Sequence, residues 1–190
     1  EKDLAHITEK TACVMAEVVQ AEAGVIVPQN DFLKKLRQRC NRVGALLIFD
    51  EIQTGFGRTG SLFAFEQYGV EPDILLLAKG MGGGLPIGAF IASREMMSVF
   101  QHNPVLGHIS TFGGNPLAMT VGNAVMDIVS NKKFLKNIQN LSKYFLIKLE
   151  NIHEAYPHLI KNIRGRGFLI GIQLYKDQTA FIKKLRENRL

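Results

Sequence analysis

The chain has 190 residues, enough for one domain of ordinary size or one plus a small appendage, and its 46% hydrophobic and 21% charged content is typical of a soluble globular protein rather than a disordered one. No apolar run reaches the roughly 18 residues that a membrane span requires, so no membrane partner is expected. The net charge of +6 lies largely in the helix-like segments 34–42, 132–148 and 183–189; without a nucleic-acid motif beside them, these read as solvated faces and exclude a nucleic-acid partner.

In chain order, Ala12-Cys13-Val14-Met15-Ala16 reads as a buried strand. It leads into Glu17 to Gly24, a loop with two carboxylates. Asn30 is expected to cap a helix whose apolar positions are Phe32, Leu33, Leu36, Cys40 and Val43, and Gly44 ends it. Strand 45–49 follows, then the glycine-rich loop 55–60 and a short helix over about 62–68. Strand 74–78 ends at Lys79 and the glycines Gly80, Gly82, Gly83 and Gly84. A second short strand spans Ile87 to Ala92, and a helix lies near 94–101. Asn115-Pro116 opens a helix to about Val129, with Asn as cap and Pro in the first turn. Phe134, Ile138, Leu141, Phe145, Leu149 and Ile152 recur at three- and four-residue steps, an amphipathic helix. Ile163 to Leu174 reads as a strand region broken by Gly165, Gly167 and Gly171, and Gln178 to Arg189 as a closing helix.

Cys13 and Cys40 fit no zinc spacing and read as buried free thiols, which sets a reducing cytoplasm as the expected location. The alternation of strands and helices over 12–100 predicts an α/β fold with a parallel sheet. A boundary near 130 divides residues 1–130, part of a larger domain, from residues 131–190, part of a smaller α+β domain. The chain opens at Glu1 without methionine, close to a strand, and ends within a helical pattern, so it reads as a piece of a longer protein.

Two polar residues end two apolar strands. Asp50 follows Ala45-Leu46-Leu47-Ile48-Phe49, and Lys79 follows Ile74-Leu75-Leu76-Leu77-Ala78. Open α/β sheets bind ligands at the carboxyl ends of their strands, so the pair marks a ligand site. A buried carboxylate demands a partner, and the glycines after Lys79 leave room for a bulky ligand. A lysine before glycines could belong to a phosphate loop, but Gly-x-x-x-x-Gly-Lys-Ser/Thr is absent. An amine that forms an imine and a carboxylate that holds a pyridine nitrogen protonated are what a pyridoxal phosphate enzyme needs.

The flanking residues carry a resemblance. Asp50-Glu51-Ile52-Gln53-Thr54-Gly55-Phe56-Gly57-Arg58-Thr59-Gly60, with Pro72-Asp73-Ile74-Leu75-Leu76-Leu77-Ala78-Lys79 after it, resembles the signature of the class III pyridoxal phosphate aminotransferases. Glu17-Val18-Val19-Gln20-Ala21-Glu22-Ala23-Gly24 is similar to the family's Glu-Pro-x-Gln-Gly-Glu-x-Gly segment. His108-Ile109-Ser110-Thr111-Phe112-Gly113-Gly114-Asn115-Pro116-Leu117-Ala118 is similar to its His-Gly-Ser-Thr-Tyr/Phe-Gly-Gly-Asn-Pro-Leu segment. Arg164 to Gly171 resembles the start of the family's C-terminal domain. The resemblance therefore covers nearly the whole chain and places it in the C-terminal half of a family member.

This resemblance implies part of the large domain of a fold-type I transferase, a mostly parallel sheet flanked by helices, plus an incomplete small C-terminal domain. It implies pyridoxal 5'-phosphate as cofactor. Lys79 would be the Schiff-base lysine and the base that moves the substrate proton. Asp50 would pair with the pyridine nitrogen, Ile52 would pack on one ring face, and Gln53 would hydrogen-bond the phenolic oxygen. Thr111 would contact the cofactor phosphate of a neighbouring subunit, which implies a homodimer with a shared site. Glu22 matches a carboxylate that, in ornithine-type members, pairs with a substrate-binding arginine. Glu17 and Glu51 read as structural, and His108 as a hydrogen-bonded loop residue.

Val18, Ala21 and Ile109 stand where the family commonly has proline, glycine and glycine, which bears on loop shape more than on chemistry. The family chain is roughly twice as long, so the cradle of the cofactor phosphate and the arginine for the substrate carboxylate fall outside these residues. The implied activity is transfer of an amino group from an ornithine-like or other ω-amino donor to a keto acid such as 2-oxoglutarate. Another class III activity, decarboxylating or mutase, and an inactive fragment are the alternatives.

Overall fold

The computed structural model describes residues 3–29, 31–101 and 109–190. Three apolar runs form a parallel core. β1 (Cys13–Glu17), β2 (Leu46–Asp50) and β3 (Ile74–Leu77) lie side by side in that order and run parallel. β4 (Ala89–Ala92) joins β3 antiparallel and completes a four-stranded sheet. The expected parallel α/β sheet is therefore present, with an antiparallel edge.

Alternation along the strands separates two faces. Leu47 and Phe49 of β2 and Leu75 and Leu77 of β3 are buried and share a core with Leu33, Leu36 and Cys40 of α1 (Phe32–Val43). α1 ends as expected at Gly44, whose left-handed φ of 76° lets its N–H return to the Cys40 carbonyl. The expected cap, Asn30, lies outside the described residues, and Asp31 at the helix start makes no side-chain cap. Arg37 of α1 and the Leu47 N–H both donate to one oxygen of Asp73, at 2.7 and 2.6 Å, which ties helix, β2 and the approach to β3 together.

The opposite face is less covered. Register sets Met15, Ile48 and Ile74 side by side, and likewise Glu17, Asp50, Leu76 and Phe90. Met15 and Phe90 are exposed. The expectation of a buried β1 is thereby corrected: among the described residues β1 is an edge strand, with Val14 and Ala16 turned to the core and Cys13 and Met15 to the open face. Both cysteines are free, but only Cys40 is buried.

The residues after β4 follow the predicted order. α2 (Arg94–Ser98) and a 3-10 turn, Val99–Gln101, occupy the segment near 94–101; earlier, between β2 and β3, a 3-10 helix, Ala64–Tyr68, stands where a short helix is expected over about 62–68. α3 (Pro116–Val129) starts as read, with Asn115 Oδ1 accepting from the Leu117 and Ala118 N–H groups. α4 (Lys132–Ala155) is the amphipathic helix, and α5 (Thr179–Glu187) closes the chain. Among the described residues no helix is long and apolar enough to cross a membrane.

The region 163–174 is a hairpin, β5 (Ile160–Arg166) with β6 (Leu169–Leu174), rather than one interrupted strand. Of its three glycines only Gly167 makes the turn, at φ 58°. A side chain there would overlap the Arg58 carbonyl oxygen and lie 2.5 Å from the Thr59 carbonyl carbon. Gly167→Ala is expected to destabilise the protein by about 3 kcal/mol, because left-handed strain adds to a clash with backbone that cannot swing away. The midpoint of chemical denaturation checks this.

Candidate functional site

β2 and β3 are neighbours, and their carboxyl ends deliver Asp50 and, after Ala78, Lys79. Asp50 is half-buried on the less covered face of the sheet. Its Oδ1 accepts from the Ile52 N–H at 2.9 Å, so it caps the following turn; its other oxygen has no partner among the described residues. It also lines a concavity of about 660 Å³ together with Met15, Glu17, Ile26 and Phe32, whose lining does not include Lys79.

Lys79 is exposed, and its amine has no partner among the described residues. Its backbone is in the left-handed region, with φ 46°. Few residues other than glycine adopt that conformation, and where they do the surroundings must impose it. Here the chain turns from β3 directly into a 3-10 helix, Lys79–Gly82. Tight packing surrounds that helix. Phe56, itself at φ 55°, sits where Gly80 would carry a side chain, 3.2 Å away, and Val121 and Val125 of α3 stand over Gly83. Phe56 is in turn held edge-on by Phe63, at 5.7 Å between ring centres.

Glu51 separates Asp50 from the rest of the turn and points the other way. It is fully buried. Its carboxylate accepts from Thr54 Oγ1 at 2.5 Å, Ala64 N–H at 3.0 Å and Phe65 N–H at 2.8 Å. Burial pushes its carboxyl above the usual range, and the three donors offset part of that rise. Glu51 is thus the internal post of the 50–65 loop, in keeping with its reading as structural. Glu17 likewise accepts from the Ala21 N–H, at 2.9 Å.

Ile52 is half-buried at the start of the same turn. Gln53 follows, and its Nε2 donates to Glu22 Oε1 at 2.9 Å. Two residues that are 31 positions apart are thereby brought together. Thr111 lies in the exposed turn before α3. His108 lies outside the described residues. Among the described residues no group of three or more His, Cys, Asp or Glu side chains could hold a metal ion.

Sequence reasoning missed Phe56 and the C-terminal hairpin as supports. Neither has a local signal, since both act through contacts with distant segments.

An α/β sheet with a carboxylate and an unpaired amine at adjacent strand ends defines the kind of crevice in which open α/β sheets bind ligands. Comparison with known proteins is more specific: residues 2–190 match the model of the aminotransferase class-III family, and the chain belongs to that family. It is 44% identical over 95% of its length to an acetylornithine aminotransferase of Oceanobacillus iheyensis, and 46% identical over 95% to a succinylornithine transaminase of Photorhabdus laumondii. It spans less than half of these relatives, 44% of each. Among solved structures, the acetylornithine aminotransferase of Elizabethkingia anophelis superposes with a TM-score of 0.88 at 37% identity, over 98% of this chain and 48% of that one. The ornithine aminotransferase of Toxoplasma gondii, with PLP partially occupying its active site, gives 0.85 at 37% identity over 98% of this chain and 44% of that one. These neighbours are fold-type I enzymes, and the partial, mostly parallel sheet is theirs.

Proposed function

We propose that this chain carries the chemical centre of a pyridoxal phosphate-dependent aminotransferase that moves an amino group from an ornithine-like or other ω-amino donor to a keto acid such as 2-oxoglutarate. The observation that carries the proposal is that Asp50 and Lys79, whose amine is unpaired among the described residues, stand at the carboxyl ends of adjacent parallel strands in a chain of this family.

The residues fit the cofactor. Asp50 keeps one carboxylate oxygen unengaged, as a partner for a protonated ring nitrogen requires. Lys79 stands free to bond a carbonyl carbon, and Gln53 supplies an amide for the phenolic oxygen. The bound cofactor would act as the electron sink for the substrate carbon that bears the transferred amine.

The chain's own residues would do the rest. Asp50, fixed through the Ile52 N–H, would keep the ring nitrogen charged. Ile52 would pack on the ring. Lys79 would carry a proton from the substrate carbon that bears the transferred amine. Glu22, held by Gln53, would pair with a substrate-binding arginine, which lets one site accept both an amino donor and 2-oxoglutarate. The exposed Thr111 would reach the cofactor phosphate of a second subunit in a homodimer. Two unpaired cysteines suit a reducing, cytoplasmic setting.

Full-length protein reconstituted with pyridoxal phosphate and treated with borohydride is expected to carry the reduced cofactor on Lys79, read as a mass increment on that peptide. A tag on another lysine would overturn the assignment. Mixing the holoprotein with ornithine, acetylornithine, succinylornithine, lysine and 4-aminobutyrate is expected to discharge the visible absorption with at least one ornithine derivative. No change with any of them would overturn the donor class.

A further inference from the structure

The loop that carries Glu22 is closed on itself and held from one side. Gln20 and Ile26 exchange backbone hydrogen bonds at 3.0 and 2.8 Å, so Ala21 to Val25 form a tight projecting turn. Val25 is buried at φ 54°, and Gly24 sits at φ 105°. A turn with two left-handed residues needs an outside restraint to stay in one shape.

Arg164 of β5 supplies it. Its Nε and Nη2 both donate to the Gly24 carbonyl oxygen, at 3.1 and 2.9 Å, and its Nη1 donates to Gln173 Oε1 of β6 at 2.7 Å. All three guanidinium nitrogens are used, across 140 residues of sequence toward Gly24 and 9 toward Gln173. A lysine has no planar fork to repeat this. Beside it, β6 approaches the same turn so closely that a side chain at Gly171 would meet Val25 at 3.1 Å and the Gly24 carbonyl at 3.2 Å. The tip of the hairpin holds the other half of the site: the Phe168 N–H donates to the Arg58 carbonyl at 2.9 Å, in the loop that follows Gln53.

The hairpin therefore grips both loops whose side chains meet in the Gln53–Glu22 hydrogen bond. We infer that Arg164 is a positioning residue that fixes the 20–26 turn, and with it the Glu22 carboxylate, so that it governs the binding of the amino donor rather than of the cofactor. The tether is read directly from these contacts; its effect on the donor rests on the proposed aminotransferase function.

Full-length protein with Arg164→Met or Arg164→Lys tests it by three readouts. Hydrogen exchange of the peptide spanning 20–26 is expected to accelerate by about tenfold or more, since a hydrogen bond to a charged group is worth about 1.5–3 kcal/mol. Exchange over 46–50 should stay as in the parent. The donor KM is expected to rise by about tenfold with kcat changed less than about threefold, while cofactor affinity stays within about twofold. Unchanged exchange over 20–26 in either variant would overturn the tether. Loss of cofactor affinity in step with donor affinity would overturn the assignment to the donor. Should Arg164→Met not fold, the lysine variant, which keeps the cation and loses the fork, decides alone. Failure of the parent protein itself to take up pyridoxal phosphate would instead sink the proposed function, and the exchange data would still decide the tether.

Discussion

Replacing Glu51 by alanine is expected to destabilise the protein by about 4 kcal/mol. The change removes the acceptor for three donors at once, Thr54 Oγ1 and the Ala64 and Phe65 N–H groups, in a place without access to water. Each such bond to a charged acceptor is worth about 1.5–3 kcal/mol, and a donor left unpaired costs about 1–3 kcal/mol, although partial collapse of the loop recovers some of this. Glu51→Gln separates charge from hydrogen bonding. Its amide oxygen can serve one side of the carboxylate, but its NH2 must then face a donor, so a loss of about 1–3 kcal/mol is expected.

Chemical denaturation of the full-length protein measures both changes. Cofactor affinity should fall in both variants, because Glu51 anchors the turn that begins at Asp50 and contains Ile52 and Gln53. Loss of stability below about 0.5 kcal/mol in Glu51→Ala would mean that the loop finds other acceptors.

The same residue fixes the sign of one pH effect. Burial raises the folded-state carboxyl above its ordinary value of 4.5, so between that value and the folded one the native chain binds more protons than the unfolded chain. The stability contributed by this titration is fully present below 4.5 and is lost as pH rises through the folded value. Glu51→Gln cannot titrate. Its stability relative to the parent is therefore expected to improve as pH rises through that window, and a constant difference between the two across it would refute the raised carboxyl.

What could be read in advance depended on how local each cause was. Asp50 and Lys79 were legible because each follows a run of apolar residues of strand length, and polar residues at such boundaries lie at strand ends. The Asn115 cap and the Gly44 stop were legible because both act within one helical turn. Cys13 departs from the expected buried thiol because its exposure depends on β1 being the edge strand among the described residues, which no residue in β1 encodes. The hairpin over 160–174 differs from the broken strand region expected over 163–174 because three glycines offer three breaks. Gly167 was selected by its contact with Arg58 and Thr59, more than 100 residues earlier. The Gln53–Glu22 hydrogen bond joins two loops that only the sheet brings side by side. The motifs named the residues, and the fold decided which of them touch.

The left-handed backbone of Lys79 leads to the other large effect. Lys79→Ala is expected to reduce transamination by about 10⁴-fold or more, the upper end of what a positioned acid–base group contributes, since this amine is the proposed proton carrier as well as the covalent anchor. Lys79→Gly should lose activity to the same extent, so activity alone says nothing about the backbone. Stability does. Alanine at φ 46° keeps the penalty of a side chain in the left-handed region, about 1–2 kcal/mol, while glycine is free of it. Glycine also gives the unfolded chain about 0.5–1 kcal/mol more entropy to lose. The difference leaves Lys79→Gly more stable than Lys79→Ala by about 0.5–1 kcal/mol, measured on the two cofactor-free proteins so that ligand binding does not enter. Equal stability, or a more stable alanine variant, would show that the turn after β3 imposes no strain. The expected order would mean that Phe56, Val121 and Val125, packed around the glycines that follow Lys79, hold the lysine in a conformation its own side chain disfavours. Stability would then be given up at the one residue where the chemistry needs a lysine and the chain needs a turn that glycine makes more easily.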